Sequence, residues 1–189
     1  MSTVINDSTY WRAFEENKVT HSVAHYLMAI NHLRHELGYA RVTDVAGKLG
    51  ISRGAASLAL SQLKERGLVK EDPNRFLLLT EEGEVWAHKV EHNYVLLTRF
   101  LEDVLGVPQD TARSDACKME HLISPISSGA LTRFLQILFS DPDRIQALLN
   151  EMTDTPETCN PANLCPLCEP VGECLMNHTA TSPETEKKK

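Results

Sequence analysis

Between Ser22 and Met152, apolar residues recur mostly at helical spacing, interrupted by one stretch of short apolar runs. Val23, Leu27, Ile30, Leu33 and Leu37 mark one face of a helix over residues 22–37, and Gly38 stands where a C-cap glycine belongs. Val45, Ala46 and Leu49 mark a short helix with Thr43 as its expected cap. Gly50 makes a turn, Ser52 caps a second helix over residues 53–66, and Ala56, Leu60 and Leu63 face inward. Two short helices joined by a glycine-containing turn form a helix-turn-helix. Residues 67–71 and 75–79 predict two strands around Asp72-Pro73-Asn74, and a hairpin at this point completes a winged helix. Thr80, followed by Glu81 and Glu82, opens a long helix that runs to Leu105 and stops at Gly106. Its apolar positions (Val85, Val90, Val95, Leu97, Phe100, Leu101 and Val104) exceed the need of one protomer and predict a dimer seam. Val107-Pro108 leads into a helix expected to carry Cys117, Glu120 and His121 and to end at Ser124-Pro125. A helix over residues 127–139 follows with Leu131, Phe134, Leu135 and Leu138, and Asp141-Pro142 opens a last one with Ile145, Leu148 and Leu149.

The ends of the chain break the pattern. Residues 1–20 are polar apart from Tyr10 and Trp11 and fit a short helix or a loose arm equally. After Met152 the composition shifts to Thr, Pro, Glu and Cys, which cannot build a core. Yet Cys159, Cys165, Cys168 and Cys174 stand there at C-x5-C-x2-C-x5-C spacing, with Pro161, Pro166 and Pro170 shaping the loops. A bound metal would supply the missing folding energy. An Fe–S cluster takes four thiolates. Zinc is the second candidate, although a zinc ribbon normally pairs two CxxC knuckles, and a thiol redox switch is the third. Past Cys174 the chain is expected to be disordered. The predicted fold is therefore mainly α: a winged helix-turn-helix domain with its N-terminal arm (residues 1–80), a helical second domain (81–152), and a Cys-rich tail (153–189).

Charge sharpens one part of this picture. The net charge of −7 argues against nucleic acid as a partner of the chain as a whole. Between Arg41 and Arg75, however, seven basic residues face only four acidic ones, which supplies the phosphate-facing charge that DNA binding needs. The start of the second helix is small and polar, so it can approach base edges. Arg41, Thr43, Ser52, Arg53, Gly54, Ala55, Ser57 and Lys64 are the candidate DNA contacts. No apolar run reaches the roughly 18 residues of a membrane span, and the first residues lack the order of a signal peptide. The expected location is the cytoplasm, where cysteines serve as thiols or metal ligands.

Cys117, Glu120 and His121 present sulfur, oxygen and nitrogen at Cys-x-x-Glu-His spacing. On one helix face they would suit Fe(II), Mn(II), Co(II) or Zn(II), with a further ligand from elsewhere. The alternative is a buried cysteine beside two surface polar residues. A second stripe on the first helix carries His21, His25, Met28, His32 and His35, for which a solvated polar face accounts at His32 and His35. No thioredoxin-like βαβ pattern surrounds Cys165-x-x-Cys168 and no catalytic base motif occurs, so the chain is not expected to be an enzyme.

In order, Arg41-Val42-Thr43-Asp44-Val45-Ala46, Ile51-Ser52-Arg53, Gly67-Leu68-Val69, Leu79-Thr80-x-x-Gly83, residues 99–106 and Ala116-Cys117-Lys118-Met119-Glu120-His121 resemble the diphtheria toxin repressor / manganese transport regulator family of metal-dependent transcription factors. The resemblance covers about residues 20–140. It implies a homodimer that binds a palindromic operator when loaded with Fe(II) or Mn(II) and represses metal-uptake genes, and it makes the second domain a dimerisation and metal-binding domain. Carried over position by position, the family's primary metal site falls on Cys117, Glu120 and His121, with His25 where the family has Met or Asp. The family's second site is lost, since Tyr94, Thr98 and Arg113 occupy its positions. The expected centre is one mononuclear site of His25, Cys117, Glu120 and His121, leaning to Fe(II) because of the thiolate. The alternative is a DNA-binding regulator switched by an Fe–S cluster or by the redox state of the tail cysteines.

Overall fold

The computed structural model describes residues 19–155; the N-terminal arm and Cys159, Cys165, Cys168 and Cys174 lie outside the described residues. Helix α1 (His21–Leu37) starts at Thr20, whose side chain accepts from the Val23 N–H, and ends at Gly38 in the left-handed region (φ 80°). Helices α2 (Val42–Leu49) and α3 (Arg53–Glu65) form the helix-turn-helix, and the Ser52 hydroxyl caps α3 by accepting from the Ala55 N–H at 3.2 Å. Thr43 is not the cap of α2. That helix starts on an extended Arg41, and the Asp44 carboxylate reaches back to the Arg41 N–H at 3.1 Å, an acid at the third helical position satisfying the donor.

Strands β1 (Val69–Glu71) and β2 (Leu77–Leu79) pair antiparallel, Val69 opposite Leu79 and Glu71 opposite Leu77. They are shorter than the pattern predicts. The Asp72 carboxylate accepts from the Asn74 and Phe76 N–H groups (2.9 and 2.8 Å), which folds those residues into the loop. The Leu77 N–H bonds the Ala40 carbonyl at 2.8 Å and ties the wing to the start of the helix-turn-helix.

Helix α4 (Glu81–Arg99) is seated on the wing. The Thr80 hydroxyl donates to the Gly67 carbonyl at 2.6 Å and accepts from the Gly83 N–H at 3.1 Å. A Cβ on Gly83 would lie 2.0 Å from the Leu68 carbonyl oxygen, a contact that only a backbone shift relieves. Gly83→Ala is therefore expected to lower the unfolding free energy by about 3 kcal/mol. Urea denaturation measures this, and an unchanged midpoint would mean that the wing is not held against α4.

After α4 the helix loosens into a π turn (Phe100–Val104), and Gly106 (φ 67°) ends it. Helices α5 (Gln109–Met119), α6 (Pro125–Phe139) and α7 (Pro142–Asp154) complete the seven helices of the described residues. Two hydrophobic clusters result, and α4 contributes to both. Ala87 and Val90 join Leu27, Ile30, Val45, Leu60 and Leu77 in the first, while Leu96 joins Val104, Leu135 and Leu138 in the second. A displacement along α4 is thus felt in both clusters. The apolar excess sits elsewhere than expected. Val90, Leu97 and Val104 are buried within the protomer, leaving Val85 and Val95 exposed on the long helix, whereas Leu122, Ile126, Phe134 and Ile137 expose a larger apolar surface on α6 and the turn before it. Among the described residues no helix is long and apolar enough to cross a membrane.

Candidate metal centre and nucleic-acid face

Cys117 and the Glu120-His121 pair do not share one helix. Cys117 is in α5, which ends at Met119; Glu120 is the C-cap and His121 lies in the following turn. Asn93, fully buried on α4, holds the turn that follows. Its side-chain amide donates to the Glu120 carbonyl at 2.7 Å and takes the acceptor that a continuing helix would offer to residue 124. The Ser128 hydroxyl of α6 in turn donates to the Asn93 side-chain oxygen at 2.7 Å. Three elements thus fix the Glu120 backbone. The pattern gave no warning of Asn93, which interrupts the apolar face of α4.

The turn aims Glu120 inward. The residue is fully buried, and neither carboxylate oxygen has a hydrogen-bond partner. Burial pushes its pKa up to about 7. Across from it, the His25 Nε2 stands 3.2 Å from the Cys117 Sγ, joining α1 to α5. Donor atoms of His21, His25, Cys117 and Glu120 all lie within 4.8 Å of one another. His121 borders this group, its ring centre 5.5 Å from that of His21. Of the expected donors, the structure brings His25, Cys117 and Glu120 together, keeps His121 at the edge, and adds His21. The sequence held the signal for His21 in its four-residue spacing from His25. Among the described residues this is the one group of at least three ligating side chains. His32, expected in a solvated face, instead bonds Glu91 of α4 at 3.0 Å, while His35 is exposed.

Burial dominates the electrostatics of the group. Burial raises the Cys117 thiol, and the Glu120 carboxylate adds to this against the opposing effect of Lys118. Burial, followed by the neighbouring imidazoles, lowers His25 and His121. Neutral imidazoles are the ligating form, and a buried carboxylate without hydrogen bonds is costly unless a cation faces it. Nitrogen, sulfur and oxygen donors around an orphaned carboxylate fit a divalent first-row ion.

The other face gathers most of the candidate DNA contacts. Arg41, Thr43, Arg53, Ser57 and Lys64 line one open groove of about 560 Å³ together with Arg75 of the wing loop. The Arg41 guanidinium sits over the rings of Tyr39 and Phe76, 5.4 and 5.0 Å from their centres. Lys64 pairs with Glu71 of β1 at 2.7 Å. Ser52, Gly54 and Ala55 are exposed at the start of α3. Sequence reasoning missed Leu58, which is 66% exposed on α3 and falls off the Ala56, Leu60, Leu63 stripe.

A winged helix joined by one long helix to a helical unit, with half-buried His25 and Cys117 around a buried Glu120 at the joint, defines a metal-responsive DNA-binding protein. Family models specify it further. Residues 18–77 match the iron dependent repressor N-terminal DNA binding domain, and residues 80–148 match the iron dependent repressor metal binding and dimerisation domain. The chain belongs to this family of metal-dependent transcriptional repressors, which includes the diphtheria toxin repressor and manganese transport regulator proteins; its members are dimeric DNA-binding regulators and not enzymes. Among relatives, the transcriptional regulator MntR of Escherichia coli O157:H7 is 32% identical over 139 residues, 72% of this chain and 89% of that protein. The iron-dependent repressor IdeR of Mycobacterium tuberculosis (strain ATCC 25618 / H37Rv) is 29% identical over 119 residues, 63% of this chain and 52% of that protein. The solved structure of the manganese regulator SloR superposes with a TM-score of 0.54 at 26% identity, over 60% of this chain and 53% of that one.

Proposed function

We propose that the chain is an iron-responsive repressor of metal-uptake genes, working in the cytoplasm as a homodimer on a palindromic operator. The observation that carries this reading is the fully buried Glu120 carboxylate, without a hydrogen-bond partner, facing His25 and Cys117. His25, Cys117, Glu120 and His121 would hold the ion, which when bound supplies the positive charge that the thiolate and carboxylate require. Cys117 favours Fe(II) over Mn(II), because the softer donor suits the later metal.

The chain's own architecture carries the response. His25 is on α1, whose Leu27 and Ile30 pack in the same cluster as Val45 and Leu60 of the helix-turn-helix. Cys117 and Glu120 belong to the unit whose Glu120 carbonyl is held through Asn93 to α6. Fixing His25 against Cys117 and Glu120 therefore fixes α3 relative to the unit that dimerises. Two α3 helices must stand about 34 Å apart to enter successive major grooves on one DNA face. The exposed Ile126, Phe134 and Ile137 offer the apolar surface for the partner copy. On DNA, Arg41, Thr43, Ser52, Arg53, Ser57 and Lys64 serve the phosphates, Gly54 and Ala55 allow close approach, and Leu58 suits a thymine methyl.

Anaerobic titration of the full chain with Fe(II), Mn(II) or Zn(II), read as binding to duplex DNA from metal-uptake promoters, tests this. Tighter binding with Fe(II) than with Mn(II) is expected, and metal-independent binding would refute it. Arg53→Ala should weaken binding to every sequence and lower the slope of log affinity against log salt by about one. An unchanged slope would remove Arg53 from the phosphate contacts.

Four thiols within Cys159, Cys165, Cys168 and Cys174 favour a second reading, in which an Fe–S cluster, zinc or thiol oxidation in the tail is the switch. Acid-labile sulfide in anaerobically purified protein, lost with Cys165→Ala/Cys168→Ala, would support the cluster form; its absence would exclude that form.

A further inference from the structure

The centre has one donor more than the proposed ligand set, and it lies on the solvent side. His21 and His25 are four residues apart on α1, so both point from one face, and their rings meet edge to face at 4.4 Å. His21 is exposed and Glu120 fully buried, yet their donor atoms lie within 4.8 Å of one another. The donors therefore run from a sealed floor to an open mouth, with His21 at the mouth. The backbone fixes its position: it is the first residue of α1, directly after the Thr20 cap.

A solvated surface histidine is a poor account of this placement. Helix N-termini favour negative groups, and α1 has no acidic residue in its first turn. His21 instead puts a third imidazole beside His25 and His121. Each of these imidazoles offers a ring-nitrogen lone pair to a cation.

We propose that His21 is a metal ligand that closes the solvent side of the centre, and that the His21–His25 pair biases it toward borderline dications such as Fe(II), Co(II) and Zn(II) over Mn(II). The proposal rests on the metal-centre reading above. It adds that selectivity comes from two imidazoles of α1 as well as from the Cys117 thiolate, since carboxylate and water donors suit Mn(II) whereas imidazole and thiolate suit the later metals. His21 also places the first turn of α1, next to the N-terminal arm, under the control of the ion.

The test is anaerobic titration of the full chain with Co(II) and, separately, Mn(II), followed by visible absorption and chelator competition. Variants are His21→Ala, His21→Asp and Cys117→Ala. His21 is exposed, so its variants should melt at the wild-type temperature without metal. The proposal expects His21→Ala to lose at least about 10-fold in Co(II) affinity and to change the cobalt ligand-field bands, while the thiolate-to-cobalt charge-transfer band persists. His21→Asp should raise the ratio of Mn(II) to Co(II) affinity by a similar factor. Wild-type affinity and spectrum in His21→Ala, with the charge-transfer band lost in Cys117→Ala, would make His21 a bystander and leave the centre standing. Wild-type protein that binds no Co(II) at micromolar concentration would overturn the centre and this proposal with it.

Discussion

The Cys117→Ala/Glu120→Gln double variant is expected to bind operator DNA with the same weak affinity whether or not Fe(II) is added. Each change removes the sulfur or oxygen donor from a group whose remaining members are imidazoles. Replacing groups that only orient a ligand already costs about 10- to 100-fold in metal affinity, so deleting two donors should cost on the order of 100-fold or more. Metal-free affinity should be unchanged, because the groove lined by Arg41, Arg53 and Lys64 is built on α2, α3 and the wing. Both changes lie far from those elements in the chain. Fluorescence anisotropy with and without Fe(II) separates the two quantities. A double variant that still tightens on DNA when Fe(II) is added would show that the response originates outside this centre. The tail cysteines would be the place to look next.

The parts of the molecule that could be read from the sequence are those where local chemistry decides. Gly38, Ser52, Thr80 and Gly106 act as the caps and stops that their residue types predict, since each satisfies or ends a helix within a few residues. The stripes of α1 and α3 bury the residues their spacing selects, apart from the terminal Leu37. What escaped was set by contacts distant in the chain. Cys-x-x-Glu-His spacing predicts one helical face, but the helix ends at Met119, and Asn93 holds the Glu120 carbonyl in the following turn from 27 positions away. His21 shares a face with His25 by its spacing, but it joins the centre only because α1 meets α5 at the His25–Cys117 contact, which no local pattern reveals. The long helix illustrates the same limit. Its apolar residues could serve a dimer or the protomer's own core, and packing by α6 and α7 assigned Leu96 and Val104 to the core. The family resemblance pointed to His25, Cys117, Glu120 and His121 as candidate ligands; the structure groups the first three, with the His25 Nε2 3.2 Å from the Cys117 Sγ, and leaves His121 at the edge.

Glu120→Gln alone is expected to make the metal-free protein more stable at pH 8 while weakening its hold on metal. The Glu120 carboxyl titrates at about 7 in the folded chain, against 4.5 for its ordinary value, because burial disfavours the anion. The folded state therefore binds more protons than the unfolded state between these values, and stability falls as pH rises through that window. Below about pH 4.5 both states hold the proton and there is no penalty. Above about pH 7 both have lost it and the penalty is complete, about 3 kcal/mol at roughly 1.4 kcal/mol per pKa unit. His25 and His121 act in the opposite sense, since burial lowers both and stability gained from them rises with pH. The difference between wild type and Glu120→Gln cancels these histidine contributions and isolates the carboxylate. A glutamine amide keeps the shape and pays its desolvation equally at every pH. The difference in unfolding free energy, measured by urea denaturation in chelator, should thus grow from pH 5 to pH 7 in favour of the variant and then stay flat. Saturating Fe(II) should reverse the order, because ion binding stabilises the folded wild type by mass action and the variant binds too weakly to share in it. A pH-independent difference would mean that the Glu120 carboxylate is solvated in the metal-free protein. On the proposed reading, the buried Glu120 carboxylate makes the stability of the α1–α5 contact depend on the bound cation.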